Sequence, residues 1–335
     1  MTIWDITDLP LTLKYEWKIA RNASSFKHNL LVNISSKGFQ GQGEIAPNVR
    51  YGETADLIKN EFQQLKSSLS QIEGIHPEEF ALWVKKQAIA KSLKNGLETA
   101  YVHLYCTIHK LSICELLGIK PYNAITTTSY TLPIMPAEDI GEFIAQHNLT
   151  RFDSLKIKVN KETAEDLVRE TLLHYEGPVR IDGNETWNNE IEVLQFLEKT
   201  NLNRVEFLEQ PLPEKCISEY KRLKSIAPIP ILLDESITDS PDFENITPLC
   251  HGINMKMMKA GGYYNGLHIL QNAQKHELKT MIGCMIETTL GIFSAIHLSN
   301  GINYLDLDGF FVIDNDPFNL ILEKEGKLII NKELF

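Results

Sequence analysis

From about residue 125 onward the chain repeats one texture. Short runs rich in Ile, Val and Leu alternate with stretches whose apolar residues recur at helical spacing. The runs are "TTTSYTLPI", "SLKIKVN", "PVRIDGN", "RVEFLEQP", "PILLDES", "GINMKM", "TMIGCMI" and "NYLDLDG", eight in all. Strands alternating with helices predict a parallel sheet, and eight such units predict a closed (β/α)8-type barrel, an open doubly wound sheet being the alternative. The first part reads as α+β. In "LLVNISSKGFQGQGEIAP" two extended runs flank a Lys-Gly turn, a hairpin pattern. "TADLIKNEFQQLKSSLSQI" and the long "EEFALWVKKQAIAKSLKNGLETAYVHLYCTIHKLSICELLGI" are helical, the second predicted to break near Asn95-Gly96. "EKEGKLIINKELF" reads as a hairpin returning to the N-terminal sheet.

Charge disturbs this pattern in one way. Six of the eight runs carry it at or near their C-terminal ends: Lys156 and Lys158, Asp182, Glu209, Asp234, Lys256, and the pair Asp306 and Asp308. In a parallel barrel those ends form one face, where active sites are built. From Lys158 to Lys256 consecutive members lie one strand–helix unit apart, so residues distant in sequence converge on one mouth. A lone strand-end charge is usually a solvated loop residue. A run of Lys, Asp, Glu, Asp, Lys on consecutive strands is poorly explained that way.

Three carboxylates pushed together repel unless a cation neutralises them. An all-oxygen set without Cys or His favours Mg²⁺ on Asp182, Glu209 and Asp234. A salt-bridge cluster with the lysines would leave unexplained why the anions are contiguous and the lysines flank them. Lys156 and Lys158 share a strand face by alternation. Strands two and six of a barrel are nearly opposite, so Lys158 and Lys256 face each other across the triad. An ammonium beside a divalent cation and another ammonium has a lowered pKa. Lys158 can then be a base, with Lys156 depressing its pKa and holding a substrate oxygen. A base on each face of one carbon suits a 1,1-proton transfer: one lysine removes the proton α to a carboxylate, the metal stabilises the enediolate, and the other lysine protonates the opposite face.

Composition bounds the partners. The chain has 335 residues with 43% apolar, enough for a barrel with an extra piece or for two domains. Lys plus Arg total 33 against 44 Asp plus Glu, a net charge of −11, which argues against nucleic acid or an anionic membrane. The N-terminus lacks the apolar run of a signal peptide, and no segment is long and apolar enough to span a bilayer. Five scattered cysteines read as free thiols of a cytoplasmic protein. No Gly-x-Gly-x-x-Gly follows a strand, so a dinucleotide site is not expected.

The set "KIK", "IDGN", "LEQPLP", "LLDES" and "NMKMMKAGG" resembles the successive strand-end motifs of the muconate-lactonizing subgroup of the enolase superfamily, over nearly the whole chain. "GCMIETTLGIFSAIH" resembles the seventh-strand segment of its dipeptide epimerases, and "DLDG" their Asp-x-Asp motif. The resemblance implies a modified (β/α)7β TIM-type barrel over 123–312, an α+β capping domain over 1–122, and a C-terminal segment, 313–335, that completes the cap. It implies one Mg²⁺, a dipeptide such as L-Ala-D/L-Glu, and a place in the metabolism of peptidoglycan peptides. Asp306 and Asp308 would hold the dipeptide's ammonium, as two carboxylates on one strand face suit. Thr131, Cys284 and Ile286 would line the dipeptide. Asn184 and Glu235 would stand behind the metal ligands. Arg21 would meet a Glu side chain, as in L-Ala-D/L-Glu epimerases. Gly183 stands where the family usually has Ala. The rival readings are o-succinylbenzoate synthase, N-acylamino acid racemase, or a non-catalytic dipeptide-binding barrel. The Asp-x-Asp pair argues against the first two, whose substrates lack a free ammonium. The particular dipeptide and the oligomeric state stay open, a homo-oligomer being compatible with the sequence.

Overall fold

The computed structural model describes residues 2–19, 22–72 and 74–331. Three antiparallel strands open the chain: β1 (Ile3–Ile19), β2 (Asn22–Ser36) and β3 (Phe39–Ile45), ordered β1-β2-β3. The β2–β3 hairpin turns at Lys37-Gly38, both at positive φ, which matches the twist of the flanking strands. Helices Ala55–Gln71, Pro77–Lys85 and Lys91–His109 cover one face of this sheet and bury Trp4, Leu30, Val32, Ile45, Phe62 and Phe80 among others.

The long helical stretch breaks at 86–90, not at Asn95-Gly96. Acids from elsewhere in the fold hold the first amides of the new helix: Glu61 accepts from Ala90 N at 2.8 Å and Glu53 from Ser92 N at 3.2 Å. Gly96 lies inside the helix because β3 approaches it closely. A Cβ on Gly96 would fall 2.4 Å from Ile45 Cγ1, and one on Gly43 would fall 2.1 Å from Gly96 O.

After the short strand β4 (Ile125–Thr127) come eight parallel strands: β5 (Ser129–Leu132), β6 (Ser154–Lys158), β7 (Val179–Asp182), β8 (Val205–Glu209), β9 (Ile231–Leu233), β10 (Gly252–Lys256), β11 (Lys279–Gly283) and β12 (Tyr304–Asp306). They are the eight runs of the sequence, hydrogen-bonded in chain order. Helices follow β5 to β11, and among the described residues none follows β12, a (β/α)7β arrangement. The ring closes through side chains: Ser129 Oγ donates to Asp306 Oδ1 at 2.7 Å and Leu307 N to Thr128 Oγ1 at 2.8 Å.

Alternation stacks the barrel interior in layers. Arg180, Phe207, Leu232, Met281 and Tyr304 point inward, each two residues before the C-terminal layer. They give the charged layer above them a floor shielded from water. The C-terminal segment meets β1 at the Leu13–Ile313 bridge. The hairpin beyond it, β13 (Ile321–Lys324) and β14 (Lys327–Ile330), pairs with β4 instead of the N-terminal sheet. Its inward residues Ile321, Leu328 and Ile330 are buried against the barrel core, which fixes it there.

Candidate active site

The barrel's C-terminal layer gathers the charges. Asp182 and Glu209 end β7 and β8 in register, and Asp234 follows β9. All three are buried. Lys158 on β6 donates to Asp182 Oδ2 at 2.7 Å, and Lys256 on β10 to Asp234 Oδ2 at 3.0 Å. Lysine–carboxylate pairs therefore stand at both ends of the row Asp182–Glu209–Asp234. With β7, β8 and β9 between them, β6 and β10 lie on opposite sides of an eight-stranded ring.

Lys156 occupies the centre. Its ammonium is 2.8 Å from Glu209 Oε2, 2.8 Å from Asp306 Oδ2 and 3.1 Å from Asp182 Oδ2, with the side chain 2% exposed. Burial alone would lower its pKa, but Asp182, Asp306 and Glu209 together raise it well above the ordinary value. Lys256 is raised too, burial being outweighed by Asp234. With these carboxylates as neighbours, both lysines shift opposite to the direction expected from ammonium repulsion alone. Asp182 and Asp234 are held below the usual carboxylate range: burial opposes this, and the lysines beside them prevail. Glu209 is pushed up to about 7 by burial, against Lys156.

Lys259, unassigned in the sequence, is buried and donates to Asp234 Oδ1 at 2.5 Å and to the Asp234 carbonyl. The second lysine of "MKMMKAGG", one helical turn after Lys256, was its signal. Asn184 accepts from Lys158 at 3.1 Å and donates to Glu235 Oε1 at 3.3 Å, so both stand behind Asp182 and Lys158. Gly183 is explained by packing. A Cβ there would fall 2.9 Å from the Trp187 ring and 3.0 Å from Pro211 Cα.

Asp306 and Asp308 differ in their surroundings. Asp306 Oδ1 accepts from Ser129 Oγ at 2.7 Å and Thr131 Oγ1 at 3.3 Å, and Oδ2 from Lys156. Asp308 Oδ2 accepts from Thr131 N at 2.5 Å. Burial, then the charge of Asp306, pushes Asp308 up to about 7. Thr131 thus serves the two aspartates. Cys284 Sγ donates to Asp306 O and accepts from Gly309 N, both at 3.3 Å, and so pins the same loop. Ile286 packs with Leu11, Leu13, Val312 and Ile313, beside Tyr15 and Trp17 of β1. Arg21 lies outside the described residues. From the cap, Tyr51 lies within electrostatic reach of the charged layer. Burial and then Asp234 and Glu235 raise its phenol above the ordinary range. No residue-type pattern marked Tyr51, because its place depends on how the cap docks.

No group of three His, Cys, Asp or Glu side chains among the described residues is gathered as a cation site in these rotamers; lysine ammoniums hold the carboxylates instead. The donors still fit Mg²⁺ in kind and place. Three hard carboxylates come from adjacent strand ends, and the buried Lys156 ammonium, 2.8 Å from Glu209 Oε2 and 3.1 Å from Asp182 Oδ2, marks the place as one for positive charge.

A family model described as enolase C-terminal domain-like matches residues 137–318. The L-Ala-D/L-amino acid epimerase of Flavobacterium johnsoniae is 30% identical over 326 residues, 94% of this chain and 93% of the relative. The hydrophobic dipeptide epimerase of a Flavobacteria bacterium is 31% identical over 319 residues, 92% and 89% of the two chains. The crystal structure of the dipeptide epimerase from Enterococcus faecalis, complexed with Mg and L-Leu-L-Tyr, superposes with a TM-score of 0.88 at 25% identity, covering 98% of this chain and 96% of that one.

Proposed function

This chain belongs to the enolase superfamily, and from that premise we propose that it is a dipeptide epimerase inverting the α-carbon of the C-terminal residue of its substrate. One observation carries the reading: Lys158 and Lys256 flank the carboxylate row from opposite sides of the barrel. A substrate α-carbon above that row has one lysine on each face. One lysine takes the α-proton and the other delivers a proton to the far face, so the centre inverts. Asp182, Glu209 and Asp234 would hold Mg²⁺, which supplies electrophilic stabilisation of the charge developing on the substrate carboxylate. Lys156, buried and cationic, adds fixed positive charge at the same place. Asp308 receives the dipeptide's ammonium, and Asp306 acts as counter-ion to Lys156.

The same reading takes 1–122 as the cap, 123–312 as the barrel and 313–335 as the returning segment. It places the enzyme in the cytoplasm, consistent with five free cysteines, and allows a homo-oligomer. No helix among the described residues is long and apolar enough to cross a membrane.

The test is a dipeptide library incubated with the Mg²⁺-supplemented enzyme in D₂O. One deuterium should enter the C-terminal residue's α-position, with both configurations appearing. Label that enters N-acylated amino acids and leaves free dipeptides untouched would contradict the proposal.

A further inference from the structure

We infer that Asn254, given its room by Gly283, is a positioning residue that fixes one oxygen of Glu209 and so orients the cation site; the inference rests on Glu209 being a Mg²⁺ ligand. On β10 alternation puts Asn254 and Lys256 on the interior face, with Ile253 and Met255 on the other. Asn254 is fully buried. Its Nδ2 donates to Glu209 Oε1 at 2.7 Å, while its Oδ1 has no hydrogen-bond partner. A buried carboxamide left half-satisfied costs stability, so packing alone does not account for it.

The neighbouring strand keeps space for this side chain. Gly283 pairs in register with Lys256, and a Cβ there would fall 2.7 Å from Asn254 Oδ1 and 2.8 Å from Nδ2. The backbone of Gly283 is outside the left-handed region, so conformation does not demand glycine there. The carboxamide does. With Oε1 tied to Asn254, Glu209 presents Oε2, the oxygen that stands 2.8 Å from the Lys156 ammonium. Partners that orient metal-binding side chains commonly contribute ten- to a hundredfold in metal affinity.

The experiment is calorimetric titration of the whole chain with MgCl₂, alongside thermal melting. The variants are Asn254→Leu, Gly283→Ala, the two combined, and Glu209→Gln. Asn254→Leu and Gly283→Ala should each weaken Mg²⁺ binding about ten- to a hundredfold. The double variant should bind no more weakly than Asn254→Leu alone, because both act through one carboxamide. Wild-type Mg²⁺ affinity in Asn254→Leu, with Glu209→Gln unable to bind, would overturn the inference and leave the functional reading standing. Wild-type affinity in Glu209→Gln would overturn the ligand assignment, and the inference with it. Additive losses in the double variant would also overturn the link to Gly283. If Asn254→Leu fails to fold, Gly283→Ala, which removes no atom, decides alone, and unchanged Mg²⁺ affinity there overturns the inference.

Discussion

Asp306 ends β12 and Asp308 lies two residues beyond it, and their neighbours assign them different work. Ser129, Thr131 and Lys156 occupy both oxygens of Asp306. Asp308 is held by Thr131 N through one oxygen, and burial with the charge of Asp306 pushes it up to about 7. Its ionised form is the one that binds an ammonium, so KM for a free dipeptide should fall as pH rises through about 7. Asp308→Asn should flatten that dependence and raise KM about ten- to a hundredfold at pH 8, the worth of a hydrogen bond to a charged group. The stability effect has the opposite sign. A carboxyl whose folded pKa lies above its unfolded value costs stability as pH rises from about 4 toward that folded value. Asp308→Asn should therefore melt higher than wild type at pH 8 and not at pH 4. Asp306→Asn, which strips a counter-ion from buried Lys156, should melt lower. An unchanged KM in Asp308→Asn would remove that residue from ammonium binding. The strand alternation made this pair visible in the sequence, but their division of labour depends on Ser129, Thr131 and Lys156, which only the closed barrel brings to them.

At the scale of elements, the misplaced helix break shows where local pattern ends. Nothing in "KKQAIAK" is a breaker; the break is made by Glu53 and Glu61 reaching in from other segments. Gly96 gave the false signal. An exposed helix glycine replaced by alanine gains about 1 kcal/mol. Here the new Cβ would stand 2.4 Å from Ile45 Cγ1, and overpacking of this kind costs about 1–3 kcal/mol. Gly96→Ala should thus lower the melting temperature, and a rise would show that β3 can back away from the helix. The eight barrel strands were legible because each is a short apolar run between helical stretches, six of them ending in charge. The hairpin at 321–330 was legible as a hairpin, but its pairing with β4 was not, since apolar alternation states that a face is buried and not against what.

For the whole molecule, the cap is joined to the barrel mouth by buried and half-buried polar contacts. Glu44 on β3 accepts from Thr288 N at 3.0 Å and Gly291 N at 3.2 Å at the start of helix Thr289–Ile296, and Arg50 pairs with Glu185 at 2.9 Å. That seam places Tyr51 beside the charged layer, and no residue near Tyr51 in sequence announces it. What the sequence did announce is the ring of charge, because strand-end lysines and carboxylates one repeat apart have only one place to meet. The central claim is that Lys158 and Lys256 each serve one face of the substrate α-carbon. It is tested most directly by following α-proton loss into D₂O by NMR, for each diastereomer of a turned-over dipeptide, with Lys158→Ala and Lys256→Ala. Each variant should lose net epimerisation in both directions. Each should still exchange the proton of one diastereomer with retention, and the two variants should retain opposite diastereomers. Equal exchange of both diastereomers by Lys158→Ala would contradict the account.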